Sequence, residues 1–174
     1  MSEPFNPKNM LRSPREKLGG YVILPRLIDK VRLHAQGTLP EEYHLYLLAL
    51  NDPLVLNENT LDGRFLLFTG IAPEVLRSVV LSSREDQAAV LWVEQNAKRH
   101  TIPEKDQWSS SILQAFPDPT PERIALRTRK YPKLAEFITP KTLGSANPFD
   151  LIDYDEGRIS REEVIERIQN GRHR

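Results

Sequence analysis

Apolar residues recur at helical spacing along most of the chain. Positions three and four apart lie on one side of a helix, so each stripe of such residues predicts a helix with one buried face. The stripes are Leu24/Leu27/Ile28/Val31/Ala35 before Gly37, Leu61/Phe65/Phe68 before Gly70, Val75/Leu76/Val79/Val80, Ala88/Leu91/Trp92, and Trp108/Ile112/Leu113/Phe116 before Pro117. The pattern predicts an all-α fold.

Polar residues mark where these helices begin. The pattern Ser/Thr-x-x-Glu, in which two side chains bond each other's backbone amides, is typical of a helix N-terminus. It occurs at Ser13/Glu16, Thr38/Glu41, Ser82/Glu85, Thr101/Glu104 and Ser160/Glu163. Proline follows closely in three of these, which suits a first helical turn because its amides have no partner inside the helix. The 14 prolines are therefore interpreted mainly as helix punctuation.

Two regions depart from this pattern. Between Tyr43 and Phe68, short apolar runs are compatible with a helix or a strand, and a small hairpin within 54–68 is an alternative. Residues 117–148 are rich in proline and basic residues, which favours an extended arm over the core. We therefore predict a single domain over 1–174, an irregular helical bundle with its helical core at 11–116, the arm at 117–148, and an acidic turn and C-terminal helix at 149–174.

Composition excludes several classes of function. The 174 residues carry 24 Lys and Arg and 24 Asp and Glu, so no net field draws the protein to nucleic acid or an anionic membrane. Cysteine is absent, which excludes disulfides and thiolate chemistry. The sequence has no apolar run of signal-peptide or membrane-span length, so a cytoplasmic location is expected.

The best candidate site is the stretch around Gly19-Gly20. Two glycines permit a sharp turn between a first helix capped at Ser13 and a second beginning near Pro25, whose N-terminus would attract anions. Positive charge and polar groups along this stretch complete a candidate ligand-binding set: Arg15, Gly19, Gly20, Tyr21, Arg26, Asp29 and Lys30. An alternative is an ordinary interhelix turn, with Arg26, Asp29 and Lys30 forming a surface ion-pair ladder.

Three weaker candidates carry little chemistry. His34 and His44 flank the Gly37 turn with acidic residues nearby, but their spacing matches no metal motif, and we expect no metal site or cofactor. Residues 153–163 resemble half of a calcium loop, with the first ligands out of register, which favours a capped terminal helix. A basic run from Arg127 to Lys133 around Tyr131 could contact a phosphate backbone, but overall neutrality argues against a nucleic-acid ligand.

Several of these segments resemble a known family. SPREKLGGYVILPRLIDKVR at 13–32 is similar to the opening motif of an uncharacterised bacterial family, domain-of-unknown-function family 5069. The resemblance continues through EYH at 42–44, LDGRFLLFTGI at 61–71 and FDLIDYDEGR at 149–158. It implies a small helical bacterial protein and brings no activity or catalytic residue.

We therefore expect a non-catalytic binding or interaction module with an anion-attracting site near residues 15–30. Its partner would be a small anion or another protein. The alternative is a small enzyme acting on a phosphorylated or carboxylated metabolite in a cleft at the same place. A homodimer without a ligand is a third interpretation.

Overall fold

The computed structural model describes residues 10–48 and 60–171, and this part of the chain is predominantly helical. The elements in chain order are β1 (Lys17–Leu18), β2 (Tyr21–Val22), α1 (Leu24–Ala35), a 3-10 helix (Glu41–Tyr46), α2 (Leu61–Thr69), α3 (Pro73–Ser82), α4 (Asp86–Asn96), α5 (Ile102–Leu113), α6 (Pro121–Lys130), α7 (Pro132–Ala135), α8 (Pro140–Ser145), α9 (Pro148–Asp155) and α10 (Arg161–Gly171). The all-α fold class is confirmed.

The chain forms two compact units, Met1–Gln107 and Trp108–Arg174. The division falls within α5, before residue 116, where the sequence predicted the end of the helical core. Among the described residues, no single helix is long and apolar enough to span a membrane, although α2 and α3 together reach that length and composition across a bend of 95°.

The Gly19-Gly20 pair forms a hairpin turn, not a turn between helices. Its φ angles of 59° and 81° are both left-handed, as a tight two-residue hairpin requires, and Leu18 pairs with Tyr21 across it. The helix predicted from Ser13 is wrong. The Glu16 side chain does accept from the Ser13 amide at 3.3 Å, but the Glu16 amide donates to the Ser13 carbonyl, so the contact closes a single turn before the strand.

Helix α1 follows most of the predicted pattern. Leu24, Leu27, Ile28 and Val31 are buried, but Ala35, the last residue of the predicted stripe, is exposed. After the helix, Gly37 takes a left-handed φ of 71°. The same helix also buries Arg26 and Lys30, which the apolar spacing did not indicate.

The ambiguous region from Tyr43 onward contains helices where it is described. Residues 54–59 of the hairpin alternative lie outside the described residues, and the remainder of that alternative falls in helix α2. The Thr60 hydroxyl caps this helix by accepting from the Gly63 amide at 3.0 Å, and Gly70 ends it with a left-handed φ of 67°.

The buried face of α4 was predicted wrongly. Ala89, Val90 and Val93 face the core, whereas Leu91, assigned to that face from the sequence, is 48% exposed. Apolar residues occupy both sides of this helix, so spacing alone could not choose between the faces.

The extended arm predicted at 117–148 is also wrong, because the segment folds into helices α6, α7 and α8. Pro121, Pro132 and Pro140 each stand in a first turn, where the fixed φ of proline is helical and its missing amide costs nothing. The segment contributes to an apolar core of the second unit, comprising Tyr131, Leu134, Ile138, Leu143, Ala146, Leu151, Val164 and Ile168.

Candidate functional site

Three of the seven predicted site residues shape and anchor the hairpin. Gly19 packs so closely on α4 that an added Cβ would lie 2.7 Å from Cγ1 of Val90. Tyr21 is buried, with its ring edge-on to Phe65 at 5.6 Å between centroids. The ammonium of Lys105 lies 4.5 Å from the Tyr21 ring centroid, a cation–π distance. Gly19, Gly20 and Tyr21 therefore position the backbone that leads into α1.

Arg26 lies in the first turn of α1 and is only 3% exposed. Its Nη1 donates to the Arg12 carbonyl at 2.9 Å, and its Cζ lies 5.5 Å from the Tyr43 ring centroid. The N-cap of the helix is Ile23, whose hydrocarbon side chain cannot accept a hydrogen bond, and the first turn contains no acidic residue. Arg26 thus adds a buried positive charge to the positive end of the helix dipole.

Asp29 accepts its hydrogen bonds from Arg12, a residue absent from the predicted set. The Arg12 backbone amide donates at 2.8 Å, its Nε at 2.9 Å and its Nη2 at 2.7 Å. Hydrogen bonding to Asp29 raises the pKa of Arg12 above its ordinary value, an effect that burial opposes and that Asp86 strengthens. Arg12 therefore fixes the segment before the hairpin onto α1.

Asp86, at the start of α4, joins two arginines. It accepts from Arg12 Nη1 at 2.6 Å and from Arg32 Nη1 at 2.5 Å. Burial acts to raise the pKa of Asp86, but the hydrogen bonds from both arginines outweigh it and leave that pKa below its ordinary value of 3.8.

Lys30 is paired with Asp62 of α2, and both side chains are buried. The second carboxylate oxygen of Asp62 accepts from the Leu48 amide at 3.2 Å. The surface ion-pair ladder of Arg26, Asp29 and Lys30 is therefore wrong, since the contacts described here join these side chains to other elements. Helical spacing identifies neighbours on one helix and contains no information about partners from α2, α4 or the preceding segment.

These contacts define an α1 charge cluster, comprising Arg12, Arg26, Asp29, Lys30, Arg32, Asp62 and Asp86. Four of its members are cations and three are carboxylates. Arg15, the remaining predicted residue, is partly buried, and its backbone amide donates to the Ser13 hydroxyl at 3.2 Å.

The side chains of the two predicted histidines lie against each other. The rings of His34 and His44 lie 5.1 Å apart in an edge-to-face arrangement. His44 Nε2 is 2.9 Å from the Leu39 carbonyl, which can only accept, so this nitrogen carries the proton. Within residues 10–48 and 60–171, no three or more His, Cys, Asp or Glu side chains are grouped so that they could hold a metal ion.

The calcium-like loop uses its side chains for local contacts. Glu163, which would be the last calcium ligand, accepts from the Ser160 amide at 2.8 Å, and Ser160 Oγ accepts from the Glu163 amide at 3.2 Å. Glu156 is buried and paired with Arg158. The reciprocal bonding of Ser160 and Glu163 is the predicted helix cap at the start of α10.

In the basic run around Tyr131, Arg129, Lys130 and Lys133 are exposed, whereas Arg127 is partly buried. Tyr131, considered as a base-stacking group, is buried in the apolar core of the second unit. Arg127 Nη1 donates to the Leu143, Gly144 and Ala146 carbonyls at 3.0, 3.2 and 2.7 Å. Burial lowers the pKa of Arg127 to about 10. The carbonyls at the end of α8 accept hydrogen bonds from its guanidinium.

The chain belongs to the family described as a domain of unknown function, DUF5069, which matches residues 8–158. The match includes the hairpin, α1 and every member of the α1 charge cluster. No curated protein matches the chain.

Proposed function

We propose that this protein is a non-catalytic binding module of the bacterial cytoplasm, with an anion-attracting site near residues 15–30. The site centres on Arg26 and the first turn of α1, and its ligand is a small molecule bearing a phosphate or carboxylate group.

The position of Arg26 is the observation that carries this proposal. The Arg26 guanidinium lies in the first turn of α1, where the positive end of the helix dipole also favours anions. Arginine also offers two parallel donors, a geometry that matches a carboxylate or a phosphate.

The contacts favour binding over the alternative of a small enzyme. Asp29 and Asp62, two carboxylates of the α1 charge cluster, both accept hydrogen bonds from cations of the protein itself. A group held in this way orients its partner and is poorly placed to exchange protons with a substrate.

An amide NMR titration tests the site. Inorganic phosphate and acetate, added separately at millimolar concentration, are expected to shift the amides of Leu24, Arg26 and Leu27, while amides of α10 stay unmoved. Unmoved α1 amides with both anions at tens of millimolar would overturn the proposal.

Three substitutions and a mass measurement complete the test. Arg26→Gln is expected to abolish the chemical-shift changes of the α1 amides. Arg26→Lys is expected to retain smaller changes, because lysine keeps the charge but lacks the two parallel N–H donors of arginine. Arg129→Gln, at an exposed position of α6, is the matched control and leaves the shifts unchanged. Light scattering that shows a stable dimer, together with unmoved amides, would support the homodimer instead.

A further inference from the structure

Arg127 of α6 is a partly buried cation with no carboxylate partner among the described residues. Its Nη1 donates to the Leu143, Gly144 and Ala146 carbonyls at the end of α8. These carbonyls carry only partial charges, whereas a cation drawn out of water is usually paired with a full negative charge. The guanidinium is therefore held in place by α8 without being neutralised.

The other edge of the Arg127 guanidinium faces solvent. Its Nε and Nη2 have no hydrogen-bond partner within residues 10–48 and 60–171. In that part of the chain, the buried side-chain atoms without a partner are His34 Nδ1 and Thr128 Oγ1, so solvent reaches Nε and Nη2 of Arg127. These two nitrogens direct parallel N–H bonds outward, the arrangement that binds two oxygens of a carboxylate or a phosphate.

Arg12 shows what this edge of a guanidinium binds in the same chain. Its Nε and Nη2 donate to the Asp29 carboxylate at 2.9 and 2.7 Å, while its Nη1 donates to Asp86. Arg127 is divided in the same way, because the protein engages its Nη1 and leaves the Nε–Nη2 edge to solvent. That edge is therefore available to an anionic ligand.

A second arginine lies one helical turn earlier on the same side of α6. Arg123 precedes Arg127 by four positions, which places their Cβ atoms about 5 to 6 Å apart. Burial is the largest cause that lowers the pKa of Arg127; the Tyr131 phenol opposes it, and the positive charge of Arg123 adds to the lowering. Arg123 is held in a similar manner, since its Nη1 donates to the Asp118 carbonyl and its other side-chain nitrogens have no partner in the described part of the chain.

We propose that Arg123 and Arg127 form a binding site for the phosphate group of a small phosphate monoester. A carboxylate is planar and offers two oxygens, which suits one guanidinium, as in the pair of Arg12 and Asp29. A phosphate group has three terminal oxygens and up to two negative charges, so it can accept hydrogen bonds from both arginines. The site lies in the second unit and does not rest on the proposed function, which concerns Arg26 in the first.

The Nε–Hε resonances of the arginine side chains test this site directly, because a bound phosphate accepts from that group. Methyl phosphate is the probe, added to the intact chain at constant ionic strength and about pH 7.5, where it is mostly a dianion. We expect the resonances of Arg123 and Arg127 to shift along one saturating curve, and acetate to bind at least about fivefold more weakly. Resonances that stay unmoved at tens of millimolar methyl phosphate would overturn the site.

Substitutions on α6 separate a built site from a general attraction to positive charge. Arg123→Gln is expected to weaken methyl phosphate binding at least about fivefold, because one guanidinium is lost while the bonds from Arg127 to α8 remain. Arg129→Gln is the matched control, since it removes the same charge from an exposed position of the same helix, and a change below about twofold is expected. Equal weakening in the two variants would contradict the proposal.

Arg127→Lys tests the partly buried arginine itself. Lysine keeps the charge but lacks the two parallel N–H donors, so binding is expected to weaken at least about fivefold. Affinity equal to that of the unsubstituted protein would overturn the role of Arg127. This variant also loses donors to α8, so the dispersion of its amide spectrum is measured first, and the Arg123→Gln result decides if it does not fold.

The same titration distinguishes this site from the proposed function. Arg26→Gln is expected to leave the response of Arg123 and Arg127 unchanged. A response at these two arginines with unmoved α1 amides would contradict the proposed function and leave the α6 site standing. A response confined to the α1 amides would overturn the α6 site alone.

Discussion

The two units pair their charged side chains over different ranges of distance along the chain. In the first unit, the ion pairs of the α1 charge cluster join residues 17 to 74 positions apart, as in Arg12–Asp29 and Arg12–Asp86. In the second unit, Arg158 pairs with Glu156 and Asp153, two and five positions away, although Arg167 and Asp150 lie 17 positions apart. Pairs between distant residues form only when separate elements pack together, whereas the pairs of Arg158 can form within one turn. The first unit therefore ties its charge cluster to its tertiary fold.

The apolar contacts of the second unit provide the other half of this comparison. Its core is built from short helices between Tyr131 and Ile168, several of which begin at a proline. We expect the first unit to be most sensitive to the loss of a charged partner and the second to be most sensitive to the loss of apolar volume.

The largest expected effect is the loss of the Lys30 partner. Asp62→Ala removes the carboxylate that pairs with the buried Lys30 ammonium and accepts from the Leu48 amide, and we expect the free energy of unfolding in urea to fall by about 3 to 5 kcal/mol. Asp106→Ala is the control, because its 3.6 Å pair with Lys17 is exposed, and a change below about 1 kcal/mol is expected.

A double substitution shows whether charge or packing carries this effect. Replacing both partners, Lys30→Met with Asp62→Leu, is expected to recover most of the stability lost in Asp62→Ala, since no buried charge then lacks a partner. If Asp62→Ala costs no more than Asp106→Ala, the first unit does not depend on this charge pair.

Removing apolar volume in the second unit should cost slightly less. Leu134→Ala deletes a fully buried side chain of that core, and we expect a loss of about 2 to 5 kcal/mol from urea unfolding of the intact chain. Leu126→Ala, at an exposed position of α6, is the control and should change stability by less than about 0.5 kcal/mol. Equal effects at the two positions would contradict the assignment of this core.

The smallest of these effects on stability is expected from replacing single glycines of the first unit, Gly37 after α1 and Gly19 in the hairpin. Ala in a left-handed conformation costs about 1 to 2 kcal/mol, which is the whole penalty expected for Gly37→Ala, where no atom of residues 10–48 and 60–171 lies within 4 Å of the added Cβ. Gly19→Ala carries the same backbone penalty and adds the close approach to Val90, so its loss should be larger. Thermal unfolding of the two variants measures the difference. A Gly19→Ala variant that is no less stable than Gly37→Ala would mean that the Val90 side chain moves aside at little cost.

Local patterns determined much of the fold. The stripe from Leu24 to Val31 placed the buried face of α1, and the pairs Thr101/Glu104 and Ser160/Glu163 form the expected helix caps. These features need only the few residues within one or two helical turns, so the sequence contains all the information that fixes them.

Longer contacts decided what the sequence left open. Gly19-Gly20 indicated a turn, but pairing between Leu18 and Tyr21 made it a strand turn. In the second unit, the density of prolines favours an extended arm when only the sequence is considered. The segment folds into helices because the apolar residues that pack against α7 and α8 lie elsewhere in the chain.

The candidate site divides in the same way. Arg26, Asp29 and Lys30 could be selected from the sequence by charge and position on α1. Their partners Arg12 and Asp62 could not, because residues 17 and 32 positions apart become neighbours only when the segment before the hairpin and α2 pack against α1. A buried charge is tolerated only beside its partner, so the tertiary structure alone decided which of these side chains lie on the surface and which are enclosed.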